Sequence, residues 1–253
     1  MLIIPAIDIY QGKCVRLFQG DFKKKTIFST EPEKIAKQWM KAKVKRIHIV
    51  DLDGAKQGGL INSKTISKII SSVSCTIQLG GGIRTIPLAQ QAFDLGAEKI
   101  IIGTTIIENI NFLKQLTTHF NPKNIITSID TIGDNIAIHG WTTKLPIKID
   151  TLLKKIEAFG ISEFVYTDVL KDGTLSTPNF NQIEMINKNT TMKMIVAGGI
   201  SNTAHLKHFK NIGIHGCIIG KALYTGAIIL SEAISLMNNN TLDYKGDVPT
   251  NGN

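Results

Sequence analysis

The chain says one thing twice. Leu79-Gly80-Gly81-Gly82-Ile83-Arg84 is followed by Ile101-Ile102-Gly103-Thr104-Thr105, and Gly103 lies 21 positions after Gly82. Val196-Ala197-Gly198-Gly199-Ile200-Ser201 is followed by Ile218-Ile219-Gly220-Lys221, and Gly220 lies 21 positions after Gly199. Gly82 to Gly199 is 117 positions, and so is Gly103 to Gly220. Each stretch is an apolar run that ends in glycine ahead of a helical pattern. Backbone amides freed by glycine near a helix N-terminus bind phosphate. A duplicated cradle of this kind points to a ligand with a phosphate at each end. One cradle would comprise Gly82, Gly103 and Thr104, and the other Gly199, Gly220 and Lys221.

The repeat extends to the strands. Eight short, nearly continuous apolar runs recur: Leu2–Asp8, Arg46–Asp51, Thr76–Leu79, Lys99–Gly103, Ile125–Asp130, Glu163–Asp168, Lys193–Ala197 and Cys217–Gly220. Such runs suit strands covered on both faces. Helical patterns lie between them, on Ile66, Ile69 and Ile70, on Ile110, Leu113 and Leu116, and on Leu152, Leu153, Ile156 and Phe159. Thr30-Glu31-Pro32-Glu33 reads as a capping box before a helix whose one face carries Ile35, Trp39 and Ala42. Asp51 and Asp168 close the second and sixth runs, 117 positions apart, and Asp8 and Asp130 close the first and fifth, 122 apart. An open doubly wound sheet gives no reason for the first and fifth strands to match. A half-barrel duplicated and closed on itself does, so the expected fold is a (β/α)8 barrel. Residues 1–237 form that single domain, with no linker, and the polar stretch 238–253 reads as a flexible tail. The long segment Gly12–Phe28 after the first strand reads as a loop on the C-terminal face and a candidate lid.

Composition narrows the function. The three cysteines, Cys14, Cys75 and Cys217, form no C-x-x-C pair, which argues against zinc and a disulfide framework and for a reducing cytosol. The six histidines form no H-x-x-x-H or H-E-x-x-H pattern, so no metal is expected. No apolar run approaches a membrane span. The net charge of +9 could mark a nucleic-acid binder, but Lys23-Lys24-Lys25 and the lysines from Lys34 to Lys45 lack interleaved aromatics. They read as solvated faces whose field attracts a small phosphorylated molecule.

Asp8 and Asp130 would face each other across the barrel mouth. Strand-end aspartates often only cap helices, but a repeat-related pair between two phosphate cradles suits acid–base work. Asp172, in Lys171-Asp172-Gly173-Thr174 after the sixth strand, is a second candidate acid. Arg16 and Arg84 are candidate phosphate holders. Trp141 offers a flat face to a heterocycle, or simply packs.

Together, Ile4-Pro5-Ala6-Ile7-Asp8, Gly12-Lys13-Cys14-Val15-Arg16-Leu17, Gly20-Asp21-Phe22, Val50-Asp51-Leu52-Asp53-Gly54-Ala55 and the two glycine motifs resemble the histidine-biosynthesis isomerase family, the phosphoribosylformimino-5-aminoimidazole carboxamide ribotide isomerases. The resemblance covers residues 1 to about 237. It implies an Amadori rearrangement of a bisphosphorylated aminoaldose to an aminoketose, without metal or cofactor, in the cytoplasm, with no nucleic acid, membrane or obligate protein partner. It implies Asp8 as the base, Asp130 or Asp172 as the acid, Thr167 as a supporting hydroxyl, and Arg16, Arg84, Trp141 and Gly173 with the two cradles as substrate contacts. The sister cyclase subunit of imidazole-glycerol-phosphate synthase shares the half-barrel repeat. It carries a lysine where Arg16 stands and a cysteine-leucine-aspartate opening where this chain has Ala6-Ile7-Asp8. A dual isomerase that also serves tryptophan synthesis is a further alternative, and a non-enzymatic phosphate-ligand sensor is the reading from another class.

Overall fold

All eight apolar runs become parallel strands in the computed structural model, which describes residues 1–238. They are β1 (Leu2–Tyr10), β2 (Arg46–Asp51), β3 (Thr76–Gly80), β4 (Lys99–Ile102), β5 (Ile125–Ile132), β6 (Glu163–Asp168), β7 (Lys193–Ala197) and β8 (Gly216–Ile219). Each pairs in parallel with the next. Strand β8 pairs back onto β1 through Leu2↔Gly216 and Ile4↔Ile218. The sheet therefore closes into a (β/α)8 barrel and leaves no barrel edge. The open-sheet alternative is excluded.

Side chains alternate between two cores. Ile4, Ala6, Ile101, Ile126, Val165, Ile195 and Ile218 fill the bore. A larger apolar shell joins the outer strand faces to the helices. Helix Ser63–Ile70 shows the local logic: Ile66 and Ile69 are buried three positions apart on its inner face. Each buried isoleucine contributes roughly 1.5–3 kcal/mol.

Four expectations change. The expected capping box is not formed: the first helix is Pro32–Met40, its N-cap is Glu31, and no side chain caps it. Pro32 takes the first turn and drives the preceding residue out of helical conformation, so the cap falls on Glu31 and not on Thr30. Ala36 and Trp39 are the helix's buried inner residues together with Pro32, while Ala42 lies beyond its end. The last helix, Leu230–Asn238, runs one residue into the expected tail; positions 239–253 of that tail lie outside the described residues.

Gly12–Phe28 is not a loop. Strand β1 runs past Asp8 into a β-hairpin of Lys13–Phe18 and Asp21–Ser29, with Asp8 opposite Val15. Its turn holds Gln19 and Gly20 at φ 49° and 74°, both left-handed, as a two-residue I′ turn requires. Strand β5 repeats this beyond Asp130, pairing with Asn135–Ile138, which in turn pairs with Thr143–Leu145. Asp130 stands opposite Ala137, each 122 positions after its counterpart in the first hairpin. The duplication thus includes a hairpin over the mouth.

At the N-terminal end of the bore lies an ionic group. Arg46 Nη1 meets Glu163 Oε2 at 2.6 Å, and Lys99 Nζ meets Glu163 Oε1 at 3.1 Å. Burial works to raise the Glu163 pKa, but the two cations hold it below the usual range. Arg46 and Glu163 are themselves repeat partners, 117 positions apart.

Candidate active site

Strand alternation brings the inward side chains at the C-terminal ends of β1, β5 and β6 to one mouth. The cavity there has a volume of about 430 Å³ and is lined by Asp8, Arg16, Asp130, Trp141, Thr167 and Asp172, among others. Gly82, Arg84, Gly103 and Thr104 line the same cavity. Gly173, Gly199, Gly220 and Lys221 form a smaller adjoining recess, which shares Arg16 and Asp172. Every sequence-derived candidate therefore faces one of two connected spaces.

Arg16 links the acidic groups. Its Nη1 lies 2.7 Å from Asp8 Oδ2, and both side chains are nearly buried. Burial pushes the Asp8 carboxyl up, and Arg16 pulls it back. Asp172 is pushed up to about 6, first by burial, with Arg16 opposing and the charges of Asp8 and Asp130 adding. Asp130 is raised by burial and lowered by three donors. Trp141 Nε1 donates to its Oδ2 at 2.8 Å, Ser128 Oγ donates to its Oδ1 at 3.0 Å, and the Thr167 hydroxyl is the third. Burial prevails at Asp130, whose carboxyl stays above its usual range while accepting from these donors, and Asp172 is poised to carry a proton near neutrality.

The hairpins complete the walls. Trp141 sits on the second hairpin turn at φ 71°, beside His139, whose backbone N–H donates to Thr104 Oγ1 at 3.1 Å. The first hairpin turn meets it: a Cβ on Gly20 would come within 2.6 Å of the Trp141 ring. Gln19 also holds the loop after β6, its backbone N–H donating to the Asp172 carbonyl at 3.3 Å and its Nε2 to the Leu170 carbonyl at 2.9 Å. Trp141 therefore supports both Asp130 and the hairpin, in addition to facing the cavity.

The cradles share a backbone. Gly81 and Gly82 have φ 101° and 81°, and Gly198 and Gly199 have φ 89° and 74°, values that L side chains avoid. Gly103 and Gly220 head the short helices Thr104–Glu108 and Lys221–Tyr224 with nearly identical dihedrals, −110°/−103° and −106°/−99°. Arg84 Nη2 donates to the Ala55 carbonyl at 2.8 Å beside the first cradle. In the second, Lys221 Nζ donates to the Gly173 carbonyl at 2.9 Å. A methyl group on Gly220 would overlap the Arg16 guanidinium.

Two residues that sequence reasoning passed over line the cavity, His48 and Ser128. Both stand at inward positions, His48 between the buried Ile47 and Ile49 and Ser128 two positions before Asp130, which is the signal that marks them. Asp51, by contrast, is structural: its carboxylate accepts from Gly54 N, Asn62 N and Asn62 Nδ2. Among the described residues no helix is long and apolar enough to cross a membrane.

This constellation has known relatives. Residues 2–229 match the family model described as histidine biosynthesis protein. A protein of Caldanaerobacter subterraneus subsp. tengcongensis is 44% identical over 92% of this chain and 97% of its own length. One of Thermoanaerobacter is 41% identical over 94% of this chain and 100% of its own length, and one of Prochlorococcus marinus subsp. pastoris is 41% identical over 99% and 98%. All three are named 1-(5-phosphoribosyl)-5-((5-phosphoribosylamino)methylideneamino)imidazole-4-carboxamide isomerase. A closed barrel with duplicated glycine cradles and a near-complete match along the sequence place this chain in the histidine biosynthesis protein family.

Proposed function

We propose that this protein is the aldose–ketose isomerase its relatives are named for, acting on N′-((5-phosphoribosyl)formimino)-5-aminoimidazole-4-carboxamide ribonucleotide. The observation that carries the reading is the buried trio of Asp8, Arg16 and Asp172 between two glycine cradles. The cyclase and dual-isomerase alternatives gain nothing from the relatives, which carry the isomerase name.

The chemistry requires a proton donor and a proton acceptor that coexist. Asp172, raised to about 6, gives its proton to the ribose ring oxygen, and the C1′–O4′ bond opens to a Schiff base. Asp8, whose carboxyl burial pushes up and Arg16 pulls part of the way back, removes the proton on C2′ in its ionised form. The C2′–H electron pair forms the C1′–C2′ double bond, and the Schiff-base π pair returns to nitrogen. The resulting enolamine becomes the aminoketose when C1′ is protonated and the 2′ hydroxyl loses its proton. Asp130, held by Trp141, Ser128 and Thr167, orients and does not donate. Gly82, Gly103, Thr104 and Arg84 take one phosphate, and Gly199, Gly220, Lys221 and Gly173 the other, with Arg16 at the second. Trp141 stacks on the imidazole. On this reading a single domain, residues 1–237, works in the cytoplasm on a small molecule without metal, cofactor or obligate protein partner.

The test is turnover of the aminoaldose to the aminoketose by purified protein in the presence of a chelator. Ammonia-dependent formation of imidazole glycerol phosphate, without isomerisation, would overturn the reading.

A further inference from the structure

A polar relay runs through the bore from the ionic group at its N-terminal end to the cavity. Arg46 Nη1 donates to Gln78 Oε1 at 3.3 Å, and Gln78 Nε2 lies 3.1 Å from His48 Nδ1. Arg46 and Gln78 are buried, while His48 is part-exposed to the cavity it lines. The relay belongs to one half only: at 117 positions further on, Val165 and Ile195 replace His48 and Gln78.

The chemistry of this relay leaves one arrangement. Arg46 is fixed by Glu163 and has only donors. The Gln78 atom facing it must therefore be the amide oxygen, because the amide NH₂ would set donor against donor. The Gln78 NH₂ then faces His48 Nδ1, which must accept. A neutral imidazole that accepts at Nδ1 carries its proton on Nε2. Burial and the nearby Arg16 charge keep His48 neutral, with its pKa pushed down to about 3. Nε2 has no partner among the described residues. Nor is it one of the sealed, unpartnered side-chain atoms, which are Thr127 Oγ1, Asp150 Oδ1 and His208 Nε2.

We infer that the Arg46–Gln78 relay locks His48 in its Nε2–H form as a neutral hydrogen-bond donor, and that this donor binds the substrate oxygen on C2′. The inference rests on the isomerase reading for the identity of that oxygen, but not for the tautomer. In register, Asp8 stands beside Val50 and Ala6 beside His48, so His48 lies one layer beneath Asp8 on the neighbouring strand. The oxygen on C2′ changes from hydroxyl to carbonyl at the carbon from which Asp8 takes a proton. A fixed neutral donor stabilises charge on that oxygen without giving up its proton. Gln78 is then a positioning residue.

The test is ¹⁵N NMR of protein labelled in its histidine rings, with His48 identified by the signal lost in His48→Asn. The expected spectrum is a neutral ring protonated at Nε2 between pH 6 and 8. A ring protonated at Nδ1, or an imidazolium, would overturn the inference and leave the isomerase reading standing. Absence of turnover by the unaltered protein would overturn that reading and leave the tautomer result intact. Gln78→Leu should change the ring signature and lower kcat with KM little altered; an unchanged tautomer there would remove Gln78 from the relay. His48→Asn should lose about 100-fold in kcat. His48→Gln, whose amide nitrogen reaches the Nε2 position, should recover most of it. Equal losses in the two variants, in proteins with matching unfolding midpoints, would overturn the donor role.

Discussion

The two glycine cradles share a backbone and differ in what lies over it. The dihedrals of Gly103 and Gly220 agree to within a few degrees, and both Gly-Gly pairs are left-handed. The first cradle opens onto the main cavity and offers amides, the Thr104 hydroxyl and Arg84. The second is roofed: Arg16 lies on Gly220, Lys221 holds the Gly173 carbonyl, and Phe18 of the first hairpin stands 5.9 Å from the Lys221 ammonium. Duplication thus yields two matching glycine backbones, and one side chain makes them unequal. Arg16 belongs to the second cradle and also pairs with Asp8. On the proposed function, a phosphate arriving there meets the cation paired with Asp8, whereas a phosphate in the first cradle does not.

Removing the base breaks the comparison most severely. Asp8→Asn should lower kcat by about 10³-fold or more while substrate still binds, and its repeat partner Asp130→Asn should lose less. Steady-state kinetics with a binding titration would check both, and equal losses would mean that the halves contribute alike. Arg16→Met comes next. Removing one member of a buried charge pair costs about 2–5 kcal/mol, so kcat/KM should fall at least roughly 30-fold. Because Arg16 holds the Asp8 pKa down, its loss should move the acid limb of the pH–rate profile to higher pH.

Gly220→Ala and Gly103→Ala sharpen the contrast. The two positions share their backbone dihedrals, but only the first substitution drives a methyl group into Arg16; at Gly103 the nearest atom, Ser128 Cβ, is 3.5 Å away. Gly220→Ala should raise KM more. In an Arg16→Met background that excess should shrink, giving a coupling of about 0.5–3 kcal/mol in a double-mutant cycle. The pH dependence follows from Asp172. If Asp172 donates, its active form is the protonated one, so kcat/KM should decline up to tenfold per unit as pH rises above about 6. Asp172→Asn should abolish that limb in whatever activity remains.

The barrel strands were legible because each is an apolar run between helical patterns, and the spacing of Gly82, Gly103, Gly199 and Gly220 exposed the half-barrel repeat. The hairpin over Gly12–Phe28 was not legible. Its second strand carries Asp21 and Lys23-Lys24-Lys25 on an exposed ribbon, so alternation is lost. The Arg16–Asp8 pair follows from the register that sets Asp8 against Val15, and chain spacing alone does not encode it. His48 and Gln78 were hidden for a different reason. Each sits between two buried aliphatic residues, Ile47 and Ile49 or Ile77 and Leu79, and its meaning emerges only when neighbouring strands bring the two together.

The Arg46–Glu163 pair bears on how such a barrel can be assembled from pieces. The two residues occupy the same place in their respective halves and carry opposite charges. Two copies of the first half, docked as the halves dock here, would bring arginine against arginine at the foot of the bore. Two copies of the second would bring glutamate against glutamate. Only the mixed pairing neutralises the contact, and an unpaired buried charge costs about 3–5 kcal/mol. If the two halves are produced as separate polypeptides, that contact should favour recognition of the unlike partner over self-association.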